Sequence, residues 1–214
     1  MNKEKNDLLK RLKDDRMYRT FSNLKVRSEQ IETEDGKVTE EMIVEGQAVT
    51  FENPTVLFKC GETEYKEVID RNAFNEADMT DVIFNYNHGG KVVARTRNKT
   101  LELFIDANGL NIRARLDGTE EGRKLYEEIK GGYIDKMSFC FTVQEESYDK
   151  EQHQWRVLKV EKLYDVSAVD FPAYDTTSIS ARSSRLVVAE CEQKVLERTQ
   201  SKKCKSKELL NLTY

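Results

Sequence analysis

The sequence predicts a mainly β protein of the α+β class, in which a closed or nearly closed β-barrel is surrounded by a few helices. Two observations predict this fold. Short segments of alternating apolar and polar residues recur along the chain and are separated by turn residues. A clear helical period replaces this alternation in the middle of the chain, between Gly118 and Lys130. With 214 residues and 24.9 kDa, the chain has the size of one compact domain with tails.

The N-terminal half contains an amphipathic segment followed by strands. The leucines of MNKEKNDLLKRLKDDR form an apolar stripe among charged residues, which predicts a short helix up to Arg16. Two strands follow, NLKVRSEQIET and EEMIVEGQAVTF, and the turn residues Glu34-Asp35-Gly36 join them. Asn53-Pro54 interrupts the alternation, and the segment YKEVI resumes it. Residues 72–79 then predict a short helix or turn before the apolar segment VIFNYNHGG.

The C-terminal half begins with a strong hairpin signal. Alternation is clear from Thr100 to Leu116, and Asn108-Gly109 lies at its centre, where Asn-Gly favours a tight turn. The next segment predicts a helix because Thr119 can cap it, two glutamates follow in its first turn, and Gly131-Gly132 ends it. A second hairpin is predicted to join FCFTVQ to QWRVLKV around Tyr148-Asp149-Lys150, before a last strand-like run that ends at Pro172.

Composition excludes several classes of protein. The 35 basic and 39 acidic residues nearly balance, so the chain lacks the positive charge of a nucleic-acid-binding protein. No apolar run approaches the roughly 18 residues of a membrane span, and the N-terminus lacks the apolar core of a secretory signal. Four cysteines are scattered without a CxxC pair, which argues against a zinc site. We therefore expect a cytoplasmic protein with no metal and no cofactor, and with neither nucleic acid nor membrane as a partner.

A serine, a histidine and two carboxylates are the candidate catalytic residues. The chain has 2 histidines, and His88 closes the segment VIFNYNHGG, whereas His153 is expected to be solvated in a charged turn. Ser138 lies in the alternating segment KMSFCF, and Cys140 shares its strand face. Glu161 and Asp165 enter the last strand-like run, about 13 Å apart along one face. A serine, a histidine and a carboxylate on separate strands are the components of a hydrolytic triad, and either carboxylate could complete it.

The order of these segments resembles a known family. Between Phe21 and Ser180 the blocks EGQAVTFENP, YKEVIDRNAF, FNYNHGGKVVARTRNKTLEL, DANGLNIRARLDGTEEGRKLYEEIKGGYIDKMSFCFTV and KLYDVSAVDFPAYDTT follow one another. This series resembles the tailed-phage prohead proteases, which are capsid-maturation serine proteases similar to the herpesvirus assemblins. The resemblance implies a herpesvirus-protease-like fold, with Ser138 as nucleophile and His88 as base.

The resemblance also bears on the acid, whereas the candidate for the oxyanion comes from the sequence alone. It favours Asp165 over Glu161, because Asp165 stands in the acidic position before Val166 and Ser167, where the family usually has glutamate. Cys140 stands where the family usually has glycine. Arg95, seven residues after His88, is a candidate to stabilise the oxyanion.

The resemblance implies a phage prohead maturation serine endopeptidase. Such an enzyme cleaves the scaffolding segment of the major capsid protein, and often itself, inside the assembling procapsid in the bacterial host cytoplasm. Two alternatives stay open: a non-catalytic, scaffold-like capsid assembly module, and a thiol protease that uses Cys140 with His88. A homo-oligomer is also compatible with the sequence.

The chain is predicted to have three parts. Residues 1–20 form a charged N-terminal helical segment, residues 21–180 form the protease domain, and residues 181–214 form a charged C-terminal tail with a lysine-rich cluster, SKKCKSKE. Both ends are expected sites of self-cleavage.

Overall fold

The computed structural model describes residues 16–22, 24–32, 38–60 and 62–170, together with Glu192 and Lys194. Its strands, in chain order, are β1 (Met17–Ser22), β2 (Leu24–Glu32), β3 (Val38–Thr50), β4 (Thr55–Cys60), β5 (Thr63–Ile69), β6 (Ile83–Tyr86), β7 (Gly89–Arg95), β8 (Leu101–Ile105), β9 (Gly109–Arg115), β10 (Lys136–Asp149) and β11 (Gln154–Val169). Within residues 16–170 of the described chain there is one α-helix, α1 (Glu120–Lys130), and one 3₁₀ turn, Thr96–Asn98. The predicted mainly β class is therefore confirmed.

The larger sheet is built around β11. One edge of β11 pairs with β10 in antiparallel orientation, and β10 in turn pairs with β1. The other edge is shared by two parallel partners: Gln154–Val157 pair with β5, and Asp165–Ala168 pair with β6. Strands β4 and β7 extend this sheet from β5 and β6. Because β11 is 16 residues long, β5 and β6 can pair with it one after the other along the same edge.

The smaller sheet has the order β2-β3-β9-β8 and is antiparallel throughout. Both sheets contribute to one apolar core, in which Val44 and Ile112 of the smaller sheet join Phe84, Phe139 and Val166 of the larger sheet. Neither sheet closes on itself among the described strands, so closure into a barrel stays a prediction.

Helix α1 covers one side of this core. Thr119 caps it, because its side-chain oxygen accepts a hydrogen bond from the backbone N–H of Gly122 at 2.9 Å. Leu125, Tyr126 and Ile129 form its buried stripe. Gly132, at φ 74°, supplies the left-handed residue that ends the helix before β10 begins. The predicted helix, cap and terminator are all confirmed.

The predicted hairpins are present, with one change of detail. Strands β2 and β3 pair, as do β8 and β9, and β10 and β11. Gly109 is the first residue of β9 rather than the tip of the turn, and an added Cβ there would lie 1.8 Å from the carbonyl oxygen of Val49. This glycine therefore permits the close approach of β3 to β9.

Three further segments were also the subject of predictions. For residues 72–79 a short helix or a turn was predicted, and residues 72–76 form turns, followed by an isolated bridge at Asp78. Residues 17–20 belong to β1, so the part of the predicted helical segment 1–20 that the structure describes is a strand paired with β10. The predicted helix before Arg16 lies outside the described residues, as does the tail beyond 180 apart from Glu192 and Lys194, both of which are helical. No helix in the described part of the chain is long and apolar enough to cross a membrane.

Candidate active site

Strand register brings the candidate residues together from distant parts of the chain. On β10 and β11, Ser138 lies opposite Ser167, and Cys140 lies opposite Asp165. Strand β6 runs parallel to β11 along Asp165–Ala168, which places the β6–β7 turn, and His88 within it, beside the end of β11. The candidate residues around Asp165 therefore come from the elements on both sides of β11.

His88 occupies the second position of a two-residue turn. Tyr86 pairs with Gly89, and the two residues between them, Asn87 and His88, have φ of 51° and 54°. Two successive left-handed residues characterise a type I′ turn, in which glycine is usually preferred at the second position. The turn is tethered to β11, because the Asn87 backbone N–H donates to the Ala168 carbonyl at 2.9 Å. These contacts offset the cost of a side chain in this conformation.

Both ring nitrogens of His88 have partners. Nε2 lies 2.6 Å from the Ser138 hydroxyl, and Nδ1 lies 2.6 Å from Oδ1 of Asp165. With Nδ1–H donating to the carboxylate, Nε2 is left to accept the hydroxyl proton of Ser138. This is the arrangement in which an imidazole can serve as a general base for a serine nucleophile. Ser138 is 0% exposed and Asp165 is 8% exposed, so the residues lie in an environment of low polarity where these contacts are strong.

Tyr18 of β1 packs against this histidine, and the sequence did not indicate it. The Tyr18 ring lies 4.6 Å from the His88 ring in an edge-to-face arrangement. Burial, and next the neighbouring Cys140, raise the pKa of the Tyr18 hydroxyl above its usual value, so Tyr18 is neutral at physiological pH. The segment MYRTFS gives only a weak local signal for a strand, because β1 depends on its pairing with β10.

The remaining candidates, Arg95 and Glu161, contact residues outside this group. Arg95 forms a bidentate ion pair with Asp81, with nitrogen-to-oxygen distances of 2.6 and 2.7 Å, so its guanidinium is directed to that carboxylate. Glu161 has an exposed side chain, and its backbone carbonyl accepts from the N–H of Asp78 at 2.9 Å. The structure therefore brings His88, Ser138 and Asp165 together and places neither Arg95 nor Glu161 with them.

Cys140 is fully buried, and its thiol hydrogen-bonds with the Tyr18 hydroxyl. The Ser138 hydroxyl, two residues away on the same strand, is the group that donates to Nε2 of His88. Within the described ranges, no group of three or more histidine, cysteine or acidic side chains could hold a metal ion.

His153 differs from its prediction. Its ring is 29% exposed, and its Nδ1 lies 3.1 Å from a carboxylate oxygen of Glu192. The same carboxylate accepts from the hydroxyls of Tyr65 and Tyr148, at 3.0 and 3.1 Å. Burial first, and then Glu192, raise the pKa of Tyr65 to about 12. The expectation of a solvated histidine was wrong, because a residue distant in sequence covers it.

Comparison with known proteins gives two findings. A family model described as caudovirus prohead serine protease matches residues 22–191, a range that contains His88, Ser138 and Asp165. The structure is similar to that of the bacteriophage T4 capsid assembly protease, with a TM-score of 0.48 and 14% identity over 72% of this chain and 97% of that chain. No curated protein sequence matches the chain.

Proposed function

This chain belongs to the caudovirus prohead serine protease family, and from that premise we propose that it is a capsid-maturation endopeptidase whose catalytic triad is Ser138, His88 and Asp165. The single observation that carries the assignment is the hydrogen-bonded series from Ser138 through His88 to Asp165, with both distances at 2.6 Å. Such a series supplies a nucleophile, a base and a group that orients the base.

The proposed reaction follows the chemistry of these three side chains. Ser138 Oγ attacks the carbonyl carbon of the scissile peptide bond while its proton passes to Nε2 of His88. Asp165 stabilises the imidazolium that forms. When the tetrahedral intermediate collapses, His88 gives that proton to the departing amine, and an acyl ester remains on Ser138. Water then attacks the ester and gives a proton to His88. When the second tetrahedral intermediate collapses, the bond from the acyl carbon to Oγ breaks, His88 returns that proton to Ser138 Oγ, and the carboxyl product leaves.

The serine is favoured over the cysteine as nucleophile because of their different neighbours. Ser138 contacts the imidazole directly, whereas the buried Cys140 thiol contacts the neutral Tyr18 hydroxyl. In this proposal the imidazole takes its proton from Ser138, the side chain that it contacts. Cys140 therefore acts as a small core residue in this proposal.

The proposed substrates are the scaffolding segment of the major capsid protein and the chain itself, inside the procapsid in the host cytoplasm. Residues 21–180 form the proposed protease domain, to which β1 adds residues 17–20. Self-cleavage is proposed before residue 17 and beyond residue 180, because both segments are highly charged and carry few core-type residues. The alternative non-catalytic assembly module would bind the capsid protein without cutting it.

Co-expression with the capsid protein of the same phage tests this proposal. Ser138→Ala should abolish cleavage, by many powers of ten in rate, while the variant stays folded. Cys140→Ala, two residues away on the same strand face, is the matched control and should cleave normally. Mass spectrometry of each purified protein reports trimming of the chain ends, which should occur in wild type and in Cys140→Ala alone.

Three results would contradict the proposal. Cleavage by a folded Ser138→Ala variant would remove Ser138 from the mechanism. Loss of cleavage in Cys140→Ala with retention in Ser138→Ala would favour the thiol protease. Wild-type protein that supports assembly without any cleavage would favour the assembly module.

A further inference from the structure

Ser167 is a polar residue in a fully buried position behind the candidate triad. It lies directly opposite Ser138 in the β10–β11 register and is 0% exposed. Burying a hydroxyl costs free energy unless the hydroxyl forms hydrogen bonds inside the protein. The partners of Ser167 therefore indicate why a hydroxyl is present at this position.

Ser167 contacts three polar groups. Its Oγ lies 2.8 Å from Oδ1 of Asp165 and 3.2 Å from Nδ1 of His88, and it also contacts the side-chain amide of Asn85. A serine hydroxyl has one proton to donate, and the carboxylate is the strongest acceptor of the three. The atom of Asn85 that faces the hydroxyl is Oδ1, which would compete with Asp165 for the single hydroxyl proton. Rotation of this amide by 180° turns its NH₂ group toward Ser167, so that Asn85 donates to the hydroxyl oxygen while the hydroxyl donates to Asp165.

The Asp165 oxygen that accepts from His88 is also the one that accepts from Ser167. A carboxylate held by two donors at one oxygen cannot rotate about its Cβ–Cγ bond without losing both hydrogen bonds. Asn85 is itself held by β6, in register with Ser167 of β11, and it is 4% exposed. Ser167 is thus fixed on one side by Asn85 and fixes Asp165 on the other.

We propose that Ser167 is a positioning residue that holds the Asp165 carboxylate against Nδ1 of His88, with Asn85 holding Ser167 in turn. The inference rests on the proposed function, because positioning matters for catalysis only if His88 is the base. It assigns a role to a residue that touches neither the substrate nor the reacting atoms.

Kinetics of Ser167→Ala test the role, with a synthetic peptide that spans a self-cleavage site as substrate. The kcat should fall about tenfold to a hundredfold, because misalignment affects the transition state, while KM stays within about twofold. Ser167→Thr, which keeps the hydroxyl, should restore most of the kcat. Ser147→Ala, at an exposed serine of β10, is the matched control and should behave as wild type.

Proton NMR gives a readout that does not depend on cleavage. The downfield resonance of the proton shared by His88 Nδ1 and Asp165 should be present in wild type and in Ser147→Ala, and broadened or lost in Ser167→Ala. If Ser167→Ala does not fold, Ser167→Cys, which has nearly the same shape and a weak donor, replaces it in both measurements.

The outcomes separate the two proposals. Wild-type kcat and an unchanged resonance in a folded Ser167→Ala or Ser167→Cys variant would overturn the role of Ser167. If wild type cleaves no peptide or capsid protein, the proposed function fails, and the resonance alone decides whether Ser167 orients the pair.

Discussion

His88 reaches Ser138 and Asp165 from a backbone conformation that few side chains adopt. Its φ of 54°, next to 51° at Asn87, costs roughly 1 kcal/mol or more for each residue. Asparagine and histidine are among the non-glycine residues that tolerate this region. The side chain of Asn87 donates to Asp170 at 3.0 Å, which stabilises the turn from outside. The turn thus directs the imidazole toward β11 before any substrate arrives.

Asp165 and Glu161 give a direct test of the acid. Asp165→Asn should lower the single-turnover cleavage rate by about four powers of ten, because an amide no longer stabilises the imidazolium and favours the wrong tautomer. Glu161→Gln, at an exposed position on the same strand, is the matched control and should change the rate less than about twofold. If the two variants showed the opposite order, Glu161 would take the role.

The residues of the candidate site differ in how well the sequence indicates them. His88 was indicated by the scarcity of histidine, and Ser138 by strand alternation within KMSFCF. Tyr18 and Ser167 were not indicated, because the contacts that reveal them are with His88 and Asn85, which are distant from them in sequence. Arg95 was expected near the oxyanion, yet Asp81 binds it, and nothing in the local sequence distinguishes these two roles.

Elements with strong local signals were the predictable part of the fold. Helix α1 has its own cap, stripe and terminator, and the β8–β9 hairpin has a sequence-local turn. By contrast, β1 was not predicted, because its partner β10 lies more than one hundred residues later in the chain. Strand formation there depends on tertiary pairing more than on intrinsic preference.

The N-cap of α1 gives a test at the level of one element. Thr119→Ala should destabilise the protein by about 1 kcal/mol, because the Gly122 N–H loses its acceptor. For a domain of this size the melting temperature should fall by about 2–4 °C. Lys124→Ala removes an exposed ion pair with Glu120 in the same helix and should change stability by a few tenths of a kcal/mol. Equal effects of the two variants in thermal unfolding would contradict the capping role.

At the scale of the whole molecule, ion pairs join segments that are distant in sequence. Arg19 of β1 binds Glu67 of β5, whose side chain is only 3% exposed, through its Nη2 at 2.7 Å from Oε2. Arg156 of β11 binds both Glu52 and Asp70, each at 2.9 Å. Arg19 and Glu67 are both largely buried, and such a pair is costly to break because the remaining charge loses its partner.

Asp70 makes stability depend on pH. The backbone N–H of Asn72 first, and then Arg156, lower the pKa of its carboxyl below the usual value. A carboxyl with a lowered folded-state pKa stabilises the protein above its unfolded-state pKa of about 4, and this contribution is lost as the pH falls through the folded value. Asp70→Asn should therefore be less stable than wild type at pH 7. As the pH is lowered from 7 to below about 4, the stability of this variant should fall less than that of wild type.

Melting temperatures measured from pH 7 downward test this prediction. Glu151→Gln, at an exposed carboxylate in the β10–β11 turn, serves as control and should follow the wild-type curve. Parallel curves for wild type and Asp70→Asn would show that Asp70 is not responsible for the loss in acid.

The position of β11 in the chain determines when the site can form during synthesis. Strand β11 is the last strand of the described residues, and it supplies Asp165. It also supplies the edge with which β6 pairs, and the turn that follows β6 contains His88. A nascent chain that has emerged only as far as β10 contains the serine and the histidine but has no strand to align them. Pairings between such distant segments also form slowly. The chain must therefore have emerged from the ribosome through β11 before the candidate site can assemble, so the triad cannot form on a chain that has emerged only as far as β10.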